Sequence, residues 1–151
     1  MIKNRCILST IKVFTLLFIM ISIRSFAAST KSPGTPITIT AGDIVITGIL
    51  DDSETSRDFI KTLPITIPMS EIGEREFYGK IGKISANSEK IDDYQKGDIA
   101  YHVPGEFLAI YYEKTERPAL DGLVRMGKIT SGIEDFKKLE NNVEMKIEVA
   151  K

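Results

Sequence analysis

The side chains best suited to acid–base or metal chemistry here are a single histidine, His102, and two adjacent acidic pairs, Asp51-Asp52 and Asp92-Asp93. Their spacing supports neither chemistry. A zinc site gathers several nitrogen or sulfur ligands, and His102 has no second histidine beside it and only Cys6, far upstream, as a thiol. As a general base it would need an activated nucleophile, and no Gly-x-Ser-x-Gly elbow accompanies it. The acidic pairs lack the spaced ligands and closing Glu of a calcium loop, and Asp51-Asp52 stands where a helix N-cap is wanted. Gly79 and Gly82 have no helix start behind them and make no phosphate loop. No metal and no cofactor is expected.

What remains is equipment for binding. Arg75, between Glu74 and Glu76, reads first as a solvated turn charge and second as a hydrogen-bond donor to a ligand. Phe77-Tyr78 and Tyr111-Tyr112 are aromatic pairs in strand-like runs. Successive strand residues point to opposite faces, so one member of each pair faces a core and the other faces outward. Alternation leaves open which. His102 and Leu120 complete the candidates, each a packing residue first and a ligand contact second.

These residues need a scaffold. Lys3, Arg5 and Lys12, the apolar run Val13 to Ile23 and the small residues around Ala27 compose a secretory signal, with cleavage expected before Ala28. This uncharged run of eleven residues falls short of the roughly 20 that span a bilayer. Removing 27 of the 151 residues leaves 124, enough for one domain with its own core. Four of the 20 basic residues precede residue 28 and all 21 acidic ones follow it, so the mature part carries a net charge of −5. Nucleic acid and anionic membrane are disfavoured as partners. Cys6 leaves with the signal, so packing rather than disulfides must hold the domain. The expected location is the periplasm or the cell exterior.

Residues 28–36 read as a flexible polar lead, and the folded domain is placed at 37–151. Ile37, Ile39 and Ile44, Ile46 alternate about a Gly-Asp turn as two strands. Asp51 to Ser53 caps a helix bearing Phe59, Ile60 and Leu63 on one face, ended by Pro64. Further strands are predicted at Ile65 to Met69, Glu76 to Ile81, Asp98 to Val103, Phe107 to Glu113, Leu123 to Ile129 and Val143 to Val149. A short helix carries Ile133, Phe136 and Leu139. Ser85 to Lys96 reads as a polar surface loop, and Val103-Pro104-Gly105-Glu106 as a type II turn with Gly105 at its left-handed position. About eight short strands with two short helices make a mainly β fold, a closed barrel with helical plugs.

The order of several short motifs resembles one family. Leu63-Pro64 after a helix, Gly97-Asp98-Ile99, Pro104-Gly105, Leu120-Asp121-Gly122 and Gly127-Lys128-Ile129 are similar in sequence and spacing to the bacterial cyclophilin-like domains, a compact branch of the cyclophilin fold. The resemblance spans most of residues 37–151 and implies a barrel of about eight strands with a helix over each end.

It also implies an activity to weigh. Cyclophilins rotate X-Pro bonds, whose resonance imposes a barrier of ~18–20 kcal/mol. A site that seats the proline ring and donates a hydrogen bond to its nitrogen favours the twisted state. The family does this with an arginine on the barrel face, a Phe, Met and Leu floor, and neighbouring Gln, Trp and His. The strand expected to carry the arginine reads Ile-Thr-Ile-Pro-Met over Ile65 to Met69, and Ala119-Leu120 stands where the family has Trp-Leu. The family histidine would fall near Leu123 or Val124, not at His102. Arg75 is left as the substitute catalytic residue, with Phe77, Tyr78, His102, Tyr111, Tyr112 and Leu120 as ligand-binding candidates.

Three readings follow: an exported binding module for a peptide or small ligand that lacks most of the catalytic residues, an exported prolyl isomerase of reduced design, and a structural or assembly domain. The first is preferred. Expected partners are Pro-containing peptides or unfolded exported proteins.

Overall fold

A computed structural model describes residues 33–151; the expected signal segment lies outside the described residues. Eight antiparallel strands close into a barrel: β1 (Thr35–Ala41), β2 (Ile44–Leu50), β3 (Ile65–Ile72), β4 (Glu76–Lys80), β5 (Asp98–His102), β6 (Phe107–Tyr111), β7 (Leu123–Ser131) and β8 (Asn142–Val149). Around the wall the order is β1-β2-β7-β5-β6-β4-β3-β8, and β8 closes the circle by pairing with both β1 and β3. The expected mainly β barrel with two short helices is the observed architecture. β1 begins at Thr35, so Thr35 and Pro36 belong to the wall, not to the lead, because their backbone continues the register Thr35↔Leu50 and Pro36↔Ile49.

Alternation fills the interior. Ile37 and Ile39 of β1, Ile67 and Met69 of β3, Leu108 and Ile110 of β6 and Met145 and Ile147 of β8 point inward and are almost wholly buried. Each such side chain contributes about 1.5–3 kcal/mol on leaving water. Two register shifts in the pairings of β7, opposite Thr47/Gly48 and opposite Ile99/Ala100, mark the irregularities that let a long strand bend along the wall.

The ends are plugged. Helix α1 (Glu54–Ile60) buries Phe59 where β2 finishes, and a 3-10 helix (Ile133–Lys138) buries Phe136 at the opposite end. Ser53 caps α1 by accepting from the Ser56 N–H at 3.2 Å. The Ser56 hydroxyl reaches Asp51 Oδ1 at 2.6 Å and the Met126 carbonyl at 2.8 Å. The Asp51 carboxylate is thus spent on holding the start of the plug, which the Ser56 hydroxyl and the Asp51 N–H tie to β7. Among the described residues no helix is long and apolar enough to cross a membrane.

The hairpin joining β5 and β6 differs from the expected turn. Its left-handed residue is Glu106, φ 55°, and Gly105 is not left-handed, so the type II assignment is corrected. Gly105 is required for space instead: a Cβ there would meet the Phe107 ring at 2.5 Å and His102 Nδ1 at 2.7 Å.

Candidate functional site

Residues that adjoin in sequence separate across the wall. Phe77 faces the interior opposite Ile110, while Glu76 and Tyr111, partners in register, face outward. The chain then turns inward after β6, so that of the tyrosine pair Tyr111 is outside and Tyr112 lies over the barrel end. The candidates consequently fall into three places.

The first is a second layer on the outer face of β5, β6 and β7. The segment between β4 and β5 folds back over that face and buries Ile91 and Tyr94 against Ala100, Ala109, Tyr111 and Leu123. This corrects the expectation that Ser85 to Lys96 is only a polar surface loop: its backbone is irregular, but two of its side chains form a cover. The cover is pinned by Ile91 N–H to the Leu123 carbonyl at 3.0 Å and Arg125 N–H to the Glu89 carbonyl at 2.7 Å. Tyr94 stacks on Tyr111 at 4.2 Å, Lys114 Nζ lies 4.2 Å from its ring, and its hydroxyl accepts from the Thr115 N–H at 3.1 Å.

Arg75 lies under the same cover, 6% exposed, which corrects its reading as a solvated turn charge. Its guanidinium donates to the Pro118 carbonyl at 3.2 Å and to Glu76 Oε1 at 3.3 Å, and lies 5.3 Å from the Tyr94 ring. Burial works most strongly against its charge, but the Glu76 carboxylate together with Tyr94 and Tyr111 outweighs that and holds its pKa above the ordinary value. Burial also pushes the Tyr111 phenol well up, reinforced by the Glu76 charge. For Tyr94 the balance is reversed: burial raises it, and hydrogen bonds with Thr115 and the nearby guanidinium bring it below its usual value. Arg75 and Tyr111 therefore do meet, but the space beside them is filled by the chain's own tyrosine.

The second place is the outside of the β5–β6 hairpin. Tyr78, half-buried, tilts against Phe107 at 5.4 Å, and His102 stacks on Phe107 at 4.4 Å. His102 Nδ1 accepts from the Gly105 N–H at 3.0 Å, so the imidazole shapes its own turn. Leu120 lies apart, 40% exposed, beside a polar recess with Ile91 and Leu123.

The third place is a cleft of about 420 Å³ at the barrel end plugged by the 3-10 helix. Phe77, Tyr112 and Phe136 form its floor, with centroids 5.8–5.9 Å apart. Glu71, Glu74 and Glu113 line its rim with Lys137, Leu139 and Asn141. The Tyr112 hydroxyl donates to Glu71 Oε1 at 3.0 Å, and burial and this carboxylate push the phenol up. Glu113 is paired with Lys137 at 2.9 Å and Lys96 at 3.4 Å, and the Lys137 contact leads in holding its carboxyl down to about 2. Among the described residues no three His, Cys, Asp or Glu side chains are gathered as a metal site.

Of the candidates named from sequence, the cleft unites Phe77 and Tyr112, the outer layer unites Arg75 and Tyr111, and the hairpin unites Tyr78 and His102. Sequence reasoning missed Tyr94, Glu71 and Phe136 as participants. Only Tyr94 carried a signal, a lone aromatic within a polar stretch.

On the outward face of β3, Thr66, Pro68 and Ser70 alternate with the buried Ile67 and Met69, and no guanidinium stands among them. Residues 39–148 match the model of the cyclophilin-like family. The solution structure of a hypothetical protein from Archaeoglobus fulgidus is similar in fold, with a TM-score of 0.62 and 21% sequence identity, covering 78% of this chain and 95% of that one. No curated protein matches.

Proposed function

The chain belongs to the cyclophilin-like family, and from that premise we propose that it is an exported binding module for a peptide or small ligand, without the isomerase chemistry of cyclophilins. The observation that carries the reading is the barrel-end cleft, a concave site with an aromatic floor and a charged rim, of the size that small ligands and side chains occupy. Against catalysis stands the commitment of Arg75. A donor to the proline nitrogen must reach substrate, and this guanidinium is occupied by Glu76 and two loop carbonyls beneath a cover. The residues of a site, not its fold, decide activity.

A protease-coupled assay on Pro-containing peptides, varied at the residue before proline, tests the reading with purified mature protein. Rotation at the uncatalysed rate is expected, while a peptide panel shifts amide resonances around Tyr112 and Phe136. Acceleration of any of these substrates would restore the isomerase reading. Export is checked by N-terminal sequencing of the protein recovered outside the cytoplasm: a chain starting at Ala28 is expected, and one retaining Met1 in the cytoplasm overturns it.

A further inference from the structure

We propose that the barrel-end cleft takes the cationic side chain of a peptide, its ammonium or guanidinium against Glu71 and Glu74 and its aliphatic stem along Leu139 past the edge of Tyr112; this rests on the binding-module reading above. The charges of the cleft are unevenly compensated. Lys137 is held by Glu113 at 2.9 Å and Glu134 at 2.8 Å, and Lys96 bridges the same two carboxylates. None of the ion pairs among the described residues includes Glu71 or Glu74. Arg117, whose guanidinium lies over Gly73, makes no ion pair with either. One wall of the cleft is therefore neutralised and the other is anionic.

Glu71 is also oriented. Its Oε1 accepts from Tyr112, which fixes the carboxylate over the aromatic floor and leaves Oε2 for a ligand donor. A buried or half-buried carboxylate with fixed geometry is where a charge-assisted hydrogen bond gains most over water. Leu139 offers partly accessible apolar surface next to it, bordered by the edge of the buried Tyr112 ring and backed by Phe77 and Phe136, and long cationic side chains lay their methylenes along such surface. At about 420 Å³ the cleft exceeds what an ion needs and suits a side chain with its adjoining peptide unit. Asn141, on the rim, makes no side-chain hydrogen bond among the described residues and supplies a donor and an acceptor for that unit.

The test uses mature protein and three peptides, Ac-Ala-Arg-Ala-NH2 and its citrulline and norleucine counterparts, with free agmatine as a fourth probe, followed by amide and aromatic resonances. The arginine peptide is expected to shift Tyr112, Phe136, Leu139 and Asn141 and to bind at least about tenfold tighter than the citrulline peptide. Glu71→Gln, which keeps the acceptor for Tyr112, and Glu74→Gln are each expected to weaken it roughly fivefold while leaving the remaining spectrum unchanged. Equal affinity for arginine and citrulline peptides, or shifts confined to another surface, overturns the inference and leaves the binding-module reading standing. Agmatine binding as tightly as the peptide overturns the peptide as occupant. If none of the probes binds but a Pro-containing peptide does, only the inference falls; if no peptide binds at all, both fall.

Discussion

Tyr94 stacks on Tyr111 outside the barrel wall, centroids 4.2 Å apart and planes 20° from parallel, and this contact makes the outer face of β5 and β6 an interior. Ala100 and Ala109, small residues on that face, are fully buried only because the ring and Ile91 cover them. Tyr94→Ala should therefore behave as a core truncation, costing about 3–5 kcal/mol in urea unfolding. Tyr94→Phe, which loses only the hydroxyl shared with Thr115, should cost about 1 kcal/mol. An unchanged midpoint for the alanine variant would mean that the cover opens independently of the barrel.

Arg75 and Glu76 form a buried pair with side chains 7% and 3% exposed, which predicts strong non-additivity. Removing one partner strands the other charge, so Arg75→Met and Glu76→Leu should each destabilise, the former by about 3–5 kcal/mol. Arg75→Met combined with Glu76→Leu should recover much of the loss, because an apolar pair of similar volume avoids the desolvation cost of both ions. A double-mutant cycle by chemical denaturation measures this. Strict additivity would mean that the two side chains act separately on the Pro118 loop and on β4.

The barrel could be read from sequence because its code is local: period-two alternation at Ile37 and Ile39, or at Met145 and Ile147, marks an inward face regardless of partner. Phe59 and Phe136 fall on plug faces by an equally local signal, apolar residues at helical spacing. The site was less legible because its contacts are long-range. Nothing near residue 94 signals that its ring will meet residue 111, and Arg75 between two glutamates looks solvated until the loop at Arg117 and Pro118 is laid over it. Tyr111 and Tyr112 could be divided between two faces by alternation, but which faced inward depended on where β6 ends.

In the β5–β6 hairpin, Gly105 and Glu106 predict opposite outcomes. Gly105→Ala places a methyl 2.5 Å from the Phe107 ring and should destabilise by about 1–3 kcal/mol through overpacking. Glu106, at φ 55°, carries a side chain where glycine is less strained, so Glu106→Gly should raise the melting temperature, by about 1 kcal/mol of stability. Thermal unfolding of the two variants separates space from backbone conformation. Stabilisation by both would sink the steric argument at Gly105.

Glu113 sets the response to acid. Its carboxyl is held down to about 2 by Lys137, by the Lys114 N–H and by the charge of Lys96, against an ordinary value of 4.5. A depressed carboxyl stabilises the folded state fully above the unfolded value, and that contribution is lost as pH falls from there through about 2. Wild type should therefore exceed Glu113→Gln in urea midpoint at pH 6, with the gap closing toward pH 2. The side chain is 32% exposed, so salt should screen the pair, and the gap at pH 6 should narrow in about 1 M sodium chloride. A gap that persists unchanged from pH 6 to pH 2 would assign the loss to packing over the barrel end, because the charge on Glu113 is the only part of the contact that protonation removes.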